Sequence, residues 1–336
     1  MEIRRVQITG GASYAITLPK DWIKLNKINK NDQLGLFSKP DGTLLITPKM
    51  ISKKPSKTKE FTIDKDINQK YLLRQLLGAY ITGYNSIKIN SKKRMPSEVG
   101  STVRNFTQIT IGQEVVEETD ETITIKDLLR PAEMPFNSTI KRMHLIVKSM
   151  HEDAMKALET GNKKIVEEIL LRDSDIDRLH WLVARQCNIL LQDISLSEKM
   201  SIPLSMTYTY FQLSRIIERM GDHVVSIAKN ILKLADSKLD KKIKENIQFS
   251  SDLALDIFNK SIGSFFQKDI KTSNRNIEIV QKLEVLCREI NSMAIRYDGS
   301  IAISIGHIAE SIRRIGEYAE DISETTINYL VGLEKN

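Results

Sequence analysis

Cysteine is nearly absent. Cys187 and Cys287 are the only two in 336 residues, and each stands alone in a helical pattern. This excludes a disulfide framework and a thiolate zinc site and makes a reducing cytoplasm the expected compartment. No apolar run approaches the roughly eighteen residues a membrane span needs, so no membrane insertion is expected. The opening residues, MEIRRVQITGG, lack the apolar stretch of a secretory signal. Aromatic side chains are scarce in the first fifty residues, where only Tyr14, Trp22 and Phe37 occur. That argues against a platform for stacking single-stranded nucleic acid. The five histidines share no spacing, and only His223, beside Asp222, lies near an acidic motif.

What is present is ordinary in amount and unusual in placement. A hydrophobic content of 41% and a charged content of 28% suit a soluble globular protein. The length implies two or three domains. Residues 1–60 hold twelve Lys or Arg against five Asp or Glu, and the remaining chain holds 38 of each. The whole net charge of +7 therefore sits in the first sixth of the chain. That asymmetry points to a polyanion-binding module on a neutral body, or to a basic solubilising surface.

Residues 1–50 carry the pattern of short strands. RRVQIT and YAITLP alternate, and turn signals fall at Gly10-Gly11, Asn31-Asp32 and Asp41-Gly42. The last predicts a hairpin between LGLF and TLLIT. DWIKLN, after Pro19, predicts one helical turn. Fifty residues of short strands bury too little apolar surface to stand alone, so a second copy is the expected partner. The stretch RRVQITGGASYAITLPKDWIKLNKINKNDQLGLFSKPDGTLLITPK resembles the AbrB/SpoVT/MazE family of swapped-hairpin DNA-binding domains. The resemblance rests on the basic first strand, the Gly-Gly turn, the aromatic-x-x-x-Leu-Pro-Lys core and the Trp in the helical turn. It implies an interleaved homodimer on double-stranded DNA. Arg4, Arg5, Lys20 and Lys24 are the candidate contacts to phosphates or a groove.

Residues 51–59, ISKKPSKTK, form a basic polar linker, and residues 60–130 alternate strand and helix patterns as a small α/β module. That module shows no Gly-rich phosphate loop, cysteine or histidine. From residue 137 the chain is helical almost throughout, entered through Pro131, Pro135 and Asn137, with Ser138 as a candidate cap. Helices are expected at roughly 139–160, 162–191 and 203–236, and again at roughly 241–267, 269–294 and 299–333. Both sets run helix, tight connection, helix, longer loop, helix, which marks a duplicated three-helix unit over residues 137–236 and 240–336. The fold class is thus mainly α with a small β head, which the resemblance makes a swapped-hairpin β domain, followed by a small α/β module and two tandem three-helix bundles.

In IIERMGDHVVSIAKN, Glu218 and Asp222 lie one turn apart, and RRIGEYAEDIS repeats the arrangement with Glu317 and Asp321. Like charges at that spacing weaken a helix by a few tenths of a kcal/mol. By helical phase both pairs lie opposite an apolar stripe, with Arg215 and Arg314 beside them. A solvated charged face accounts for one such pair; the same Arg-x-x-Glu-x-x-x-Asp order in both halves speaks for a cation site. In LLRDSDIDRLHWLV, Asp173 and His180 fall within the apolar side and Asp177 at its edge. Buried charge there needs a partner, either a cationic side chain or a bound metal. All-oxygen carboxylate clusters suit Mg²⁺, Mn²⁺, Fe or Zn²⁺.

RIIERMGDHVVSIAKNI, with RDSDIDRL before it, is closely similar to the hallmark of the PhoU family of phosphate-signalling proteins, built from two three-helix repeats. The resemblance implies metal clusters, of divalent or trivalent ions, held on the bundle surface by Glu218, Asp222, Asp173 and Asp177 in the first repeat and by Glu317 and Asp321 in the second. Glu284 stands at the position of Asp177, and Val280 replaces Asp173, which weakens the second site. Head, module and bundle in this order resemble archaeal phosphate-uptake regulators. The expectation is a cytoplasmic, dimeric, DNA-binding regulator of phosphate uptake whose body senses metal-linked phosphate status or docks a phosphate transporter or signalling protein. In one alternative the head only dimerises and the body is an adaptor. In another, the carboxylates hold catalytic metals of a hydrolase. No general base, oxyanion donor or lid loop accompanies them, so the chain is not expected to be an enzyme.

Overall fold

The computed structural model describes residues 2–38, 42–48, 57–63, 68–193, 196–197 and 200–333. The chain divides into two compact units, residues 1–55 and 56–336.

The first unit is built from two hairpins. Strands β1 (Gln7–Thr9) and β2 (Ser13–Ala15) pair antiparallel, as do β3 (Gly35–Ser38) and β4 (Leu44–Thr47), and the two pairs form separate sheets. Gly10 and Gly11 turn the first hairpin with φ of +61° and +86°, the left-handed backbone that glycine adopts without a Cβ penalty. Of the third turn signal, Gly42 has φ +79° and Asp41 lies outside the described residues. Asn31 takes φ +74°, the role its short polar side chain permits. Helix α1 (Lys20–Leu25) follows Pro19. None of the described residues of this unit is buried, and Ile3, Val6, Ile8, Tyr14, Ile16, Leu25, Leu36 and Leu44 are all exposed.

The second unit opens with the α/β module. Its four strands, β5 (Thr58–Ile63), β6 (Ser86–Ser91), β7 (Gln113–Glu118) and β8 (Thr122–Asp127), lie in the order β5-β6-β8-β7. Helices α2 (Gln69–Ile81) and α3 (Ser97–Ile109) contribute Leu72, Leu76, Tyr80, Val99, Val103 and Phe106 to a core shared with Ile63, Ile87, Ile89, Ile123 and Ile125. Strand β5 begins two residues inside the expected linker: Thr58 and Lys59 pair with Ser86 and Ile87. Their backbone satisfies the ladder although neither side chain is apolar, so no hydrophobic alternation marked them.

Among the described residues six long helices follow: α4 (Phe136–Thr160), α5 (Lys163–Gln192), α6 (Leu204–Leu234), α7 (Lys241–Gln267), α8 (Ile270–Ala294) and α9 (Gly299–Val331). They match the expected two sets of three within a few residues. The start of α4 corrects one expectation. Pro135 occupies the cap position and the helix begins at Phe136, so Ser138 lies inside the first turn and caps nothing. Between α4 and α5, Gly161 turns the chain at φ +67° and the Asn162 side chain accepts from Lys164 N at 3.0 Å. The two sets do not keep separate cores. Pairings of α6 with α9 and of α4 with α7 fuse them into one continuous apolar interior. Burial pushes the Cys187 and Cys287 thiols up to about 12, which keeps both protonated and unreactive. No helix among the described residues is long and apolar enough to cross a membrane.

The α4–α7 seam is polar at two points. His144 Nε2 meets Asn259 Oδ1 at 2.7 Å, and His151 Nε2 meets Ser251 Oγ at 2.5 Å. His151 is 1% exposed, and burial lowers its pKa to about 4 from a usual 6.5. The folded state therefore binds this proton less readily than the unfolded chain, so the stability it contributes is full above pH 6.5 and lost as pH falls toward 4. His151→Gln, which keeps a hydrogen-bonding group and removes the titration, is expected to reduce the acid loss of stability by about 2 kcal/mol between pH 7.5 and pH 5. Urea melts of both proteins at the two pH values check this, and parallel acid losses would contradict it.

The module is fastened to the body at α5. The Arg185 guanidinium is ion-paired to Asp127 at 2.5 Å, donates to the carbonyls of Tyr80 and Tyr84, and lies over the Tyr80 ring. Beside it, the Gln186 amide donates to the carbonyls of Pro131 and Met134 at 2.9 and 2.8 Å.

Candidate functional site: a carboxylate cluster on helices α5 and α6

The cluster exists because α5 and α6 approach closely. Gly221 sits in α6 against Ile176 of α5, where a Cβ would lie 2.7 Å from Ile176 Cδ1. Any larger residue would force the helices apart or the isoleucine out of its rotamer. Of the expected α6 stripe, Leu213, Ile217, Met220, Val224, Ile227 and Ile231 are buried and Ile216 is half-buried, and Ile169, Ile176 and Val183 anchor α5. With those faces fixed, Asp173 and Asp177 of α5 come within electrostatic reach of Glu218 and Asp222 of α6. His180 is turned inward and bonds through Nδ1 to Ser214 Oγ at 3.0 Å. It is a satisfied core histidine.

The four carboxylates repel one another at the edge of the core. Burial, then Asp173, Glu218 and Asp222 in turn, pushes Asp177 up to about 7. Burial followed by Asp222 raises Asp173. Burial raises Glu218 as well, opposed by Arg215 and reinforced by Asp222. The Arg215 guanidinium contacts Glu218 Oε1 at 3.1 Å, and the other oxygen, Oε2, is buried without a partner. Glu218 thus departs from the expected solvated position: its side chain is only 13% exposed, while Asp222 is exposed. The site is rich in negative charge, and one buried acceptor is unmet. Those features fit a hard cation, although among the described residues no three Asp, Glu, His or Cys side chains converge as a finished coordination shell.

The second-repeat pair is different. Glu317 is already neutralised by Arg313 and by Arg314, the latter at 3.0 Å. Val280, where a carboxylate would repeat Asp173, is 3% exposed and part of the core. Asp321 is exposed, and burial, Glu324 and Glu317 raise its pKa against the pull of Arg219. Glu310 binds both Arg313 and Arg314, and Glu284 and Glu320 add negative charge nearby. This set is a salt-bridge network and does not fit a metal as the first repeat does. Glu310, Arg313, Glu320 and Glu324 carry no repeat signal in the sequence, because only the Arg-x-x-Glu-x-x-x-Asp order recurs between the halves. His223 lies between the repeats. Its ring faces Tyr318 with centroids 5.6 Å apart, its Nδ1 is buried without a partner, and burial followed by Arg314 lowers its pKa.

In the first unit, Arg4, Arg5, Lys20 and Lys24 are all exposed, and Arg4 is paired with Glu2 at 2.6 Å. Lys20 and Lys24 lie on α1, while Arg4 and Arg5 precede β1.

Comparison with known proteins adds to this geometry. The family model described as "PhoU domain" matches residues 140–231 and 250–326, and the one described as "Antidote-toxin recognition MazE, bacterial antitoxin" matches residues 7–54. A phosphate-specific transport system accessory protein PhoU homolog of Aquifex aeolicus is 27% identical over 156 residues, covering 46% of this chain and 69% of that protein. PhoU homolog 1 of Thermotoga maritima is 23% identical over 197 residues, covering 56% of this chain and 83% of that one. The crystal structure of PhoU from Pseudomonas aeruginosa superposes with a TM-score of 0.53 at 18% identity, over 59% of this chain and 95% of that chain.

Proposed function

The chain belongs to the PhoU family, and from that premise we propose that it is a DNA-binding regulator of phosphate uptake, dimeric through its N-terminal unit, whose helical body holds a cation at Asp173, Asp177, Glu218 and Asp222. The observation that carries the DNA-binding half is the first unit itself. It concentrates the net positive charge, yet none of its described residues is buried. A β-rich segment with its apolar side chains exposed needs a second copy to cover them, and a dimer doubles the positive charge presented to a duplex. The likeness of residues 7–54 to an antitoxin domain supports the same reading.

The orphaned Oε2 of Glu218 and the mutual repulsion of the four carboxylates support the cation. A bound cation would supply a positive charge shared among the carboxylates and open coordination for an anion such as phosphate. Gly221 and Ile176 set the helix spacing that places the four side chains, and Arg215 orients Glu218. Nothing in this role requires turnover, and the relatives are described as accessory proteins of phosphate transport. Those descriptions also favour a second reading, in which the body docks a transporter component and the head serves only to pair two chains.

Salt-dependent binding to duplex DNA separates the two. Full-length protein is expected to bind promoter fragments of phosphate-uptake genes with a log K that falls linearly with log salt, by roughly 0.9 per phosphate neutralised. Arg5→Ala, Lys20→Ala and Lys24→Ala together are expected to weaken binding and reduce the slope by about one for each DNA phosphate no longer neutralised. No binding at low salt, or an unchanged slope in the triple variant, would leave the docking reading in its place.

A further inference from the structure

A cleft of about 230 Å³ opens where α6 begins and where α7 and α9 end, lined by Asn137, Tyr210, Phe265, Phe266, Lys268 and Tyr329 among others. Both three-helix sets contribute walls to it. The aromatic rings support one another: Tyr210 stacks on Phe136 at 4.7 Å, and Phe265 meets Tyr210, Phe266 and Tyr329 at 6.1, 5.2 and 6.1 Å. The Tyr210 hydroxyl donates to Asn137 Oδ1 at 2.6 Å, which leaves the Asn137 amide NH₂ to donate elsewhere. Positive charge stands at the rim. Lys268 lines the cleft, and Lys141 Nζ lies 4.7 Å from the Phe266 ring centroid.

The backbone supplies an independent observation. Among the described residues of the second unit, two non-glycine residues have left-handed backbones: Ser201 at φ +53° and Lys268 at φ +57°. Both line this cleft. Lys268 ends α7, a position where glycine is the usual residue because it carries no Cβ penalty. At this cleft wall Lys268 carries the Cβ penalty that a glycine would avoid.

We propose that this cleft binds a mononucleotide, with its base against the aromatic wall and its phosphate at Lys268. Aromatic walls favour a planar ring, the Asn137 amide offers a hydrogen bond to a ring acceptor, and a lysine at the rim favours an anion tethered to that ring. The volume is below the roughly 300–1,000 Å³ of pockets for drug-sized ligands. One ring system fits, and its sugar and phosphate project to the rim. Because the walls come from both three-helix sets, occupancy would tie the two sets together at the end of the α6–α9 contact.

Calorimetric titration of the full chain with AMP, adenosine and inorganic phosphate tests this, each with wild type, Lys268→Gly and Tyr329→Ala. AMP is expected to bind wild type, with adenosine and phosphate each weaker by about tenfold or more. Lys268→Gly is expected to lose AMP binding by about tenfold while melting at or above the wild-type temperature, since glycine relieves the left-handed backbone. A residue kept only for structure would not separate stability from binding in that way. Tyr329→Ala is expected to weaken AMP and adenosine alike, and if it does not fold, Lys268→Gly carries the test alone. Failure of AMP to bind wild type, phosphate binding as tightly as AMP, or AMP affinity unchanged in Lys268→Gly would each overturn the proposal.

Discussion

Arg185→Ala is expected to cost about 3–5 kcal/mol and to loosen the α/β module from the helical body. The side chains of Arg185 and Asp127 are 3% and 7% exposed, and Arg185 also satisfies the carbonyls of Tyr80 and Tyr84. Removing the guanidinium strands the buried Asp127 Oδ2 and takes the donor from the Tyr84 carbonyl, whereas Tyr80 O keeps Gly83 N and Asp127 Oδ1 keeps Leu129 N, each at 3.1 Å. Alanine also opens a cavity beneath the Tyr80 ring. The comparison that isolates the charge is Arg185→Met with Asp127→Leu, which removes both partners and is expected to recover much of the loss. Thermal and urea melts provide the numbers. A near-neutral Arg185→Ala would mean that the module is held by its apolar contacts, such as Trp181 against the module core, and not by this pair.

The second large effect is expected from the carboxylate cluster. Adding Mn²⁺, Fe²⁺ or Zn²⁺ to metal-free protein should stabilise it by about 2.7 kcal/mol once the metal reaches a hundred times its dissociation constant. Glu218→Ala with Asp222→Ala should lose most of that gain. Without metal, the same double variant should be no less stable than wild type, because it removes the partnerless Glu218 Oε2 and part of the repulsion on Asp177. Glu317→Ala with Asp321→Ala should keep most of the metal effect, since Glu317 is already paired with Arg313 and Arg314 and Val280 offers no ligand. It should instead cost stability without metal by breaking that network. Melting curves with and without metal, and metal analysis of protein prepared without chelators, give the answer. Equal metal-induced shifts in wild type and both double variants would remove the cation from the account.

The helices were legible because burial repeats with their period. Leu213, Ile216, Ile217, Met220, Val224, Ile227 and Ile231 form a stripe in sequence, and all but the half-buried Ile216 form a buried face in the fold. Gly10, Gly11 and Gly42 take positive φ, a backbone few residues other than glycine accept, which is why the Gly-Gly pair was legible as a turn. What escaped notice depends on contacts between distant segments. Arg185 and Asp127 are 58 residues apart and each resembles an ordinary surface charge. Glu218 lies opposite the apolar stripe of its own helix, but α5 crosses that side and removes it from solvent. Helical phase describes one helix and does not locate its neighbours. The strand at Thr58 and Lys59 was hidden for a related reason, since backbone pairing leaves no mark in side-chain hydrophobicity. The contrast between the two carboxylate pairs was only half visible: Val280 could be seen in the sequence, whereas the capture of Glu317 by Arg313 could not.

As proposed, this chain would carry phosphate status to DNA through its basic N-terminal unit. Genome-wide occupancy of the full-length protein, in phosphate-replete and phosphate-starved cells, tests it most directly. The account predicts enrichment at promoters of phosphate-uptake genes, a change in that enrichment between the two conditions, and its loss when Arg5, Lys20 and Lys24 are all replaced by alanine. Occupancy that is absent, or indifferent to phosphate and to those three residues, would contradict it.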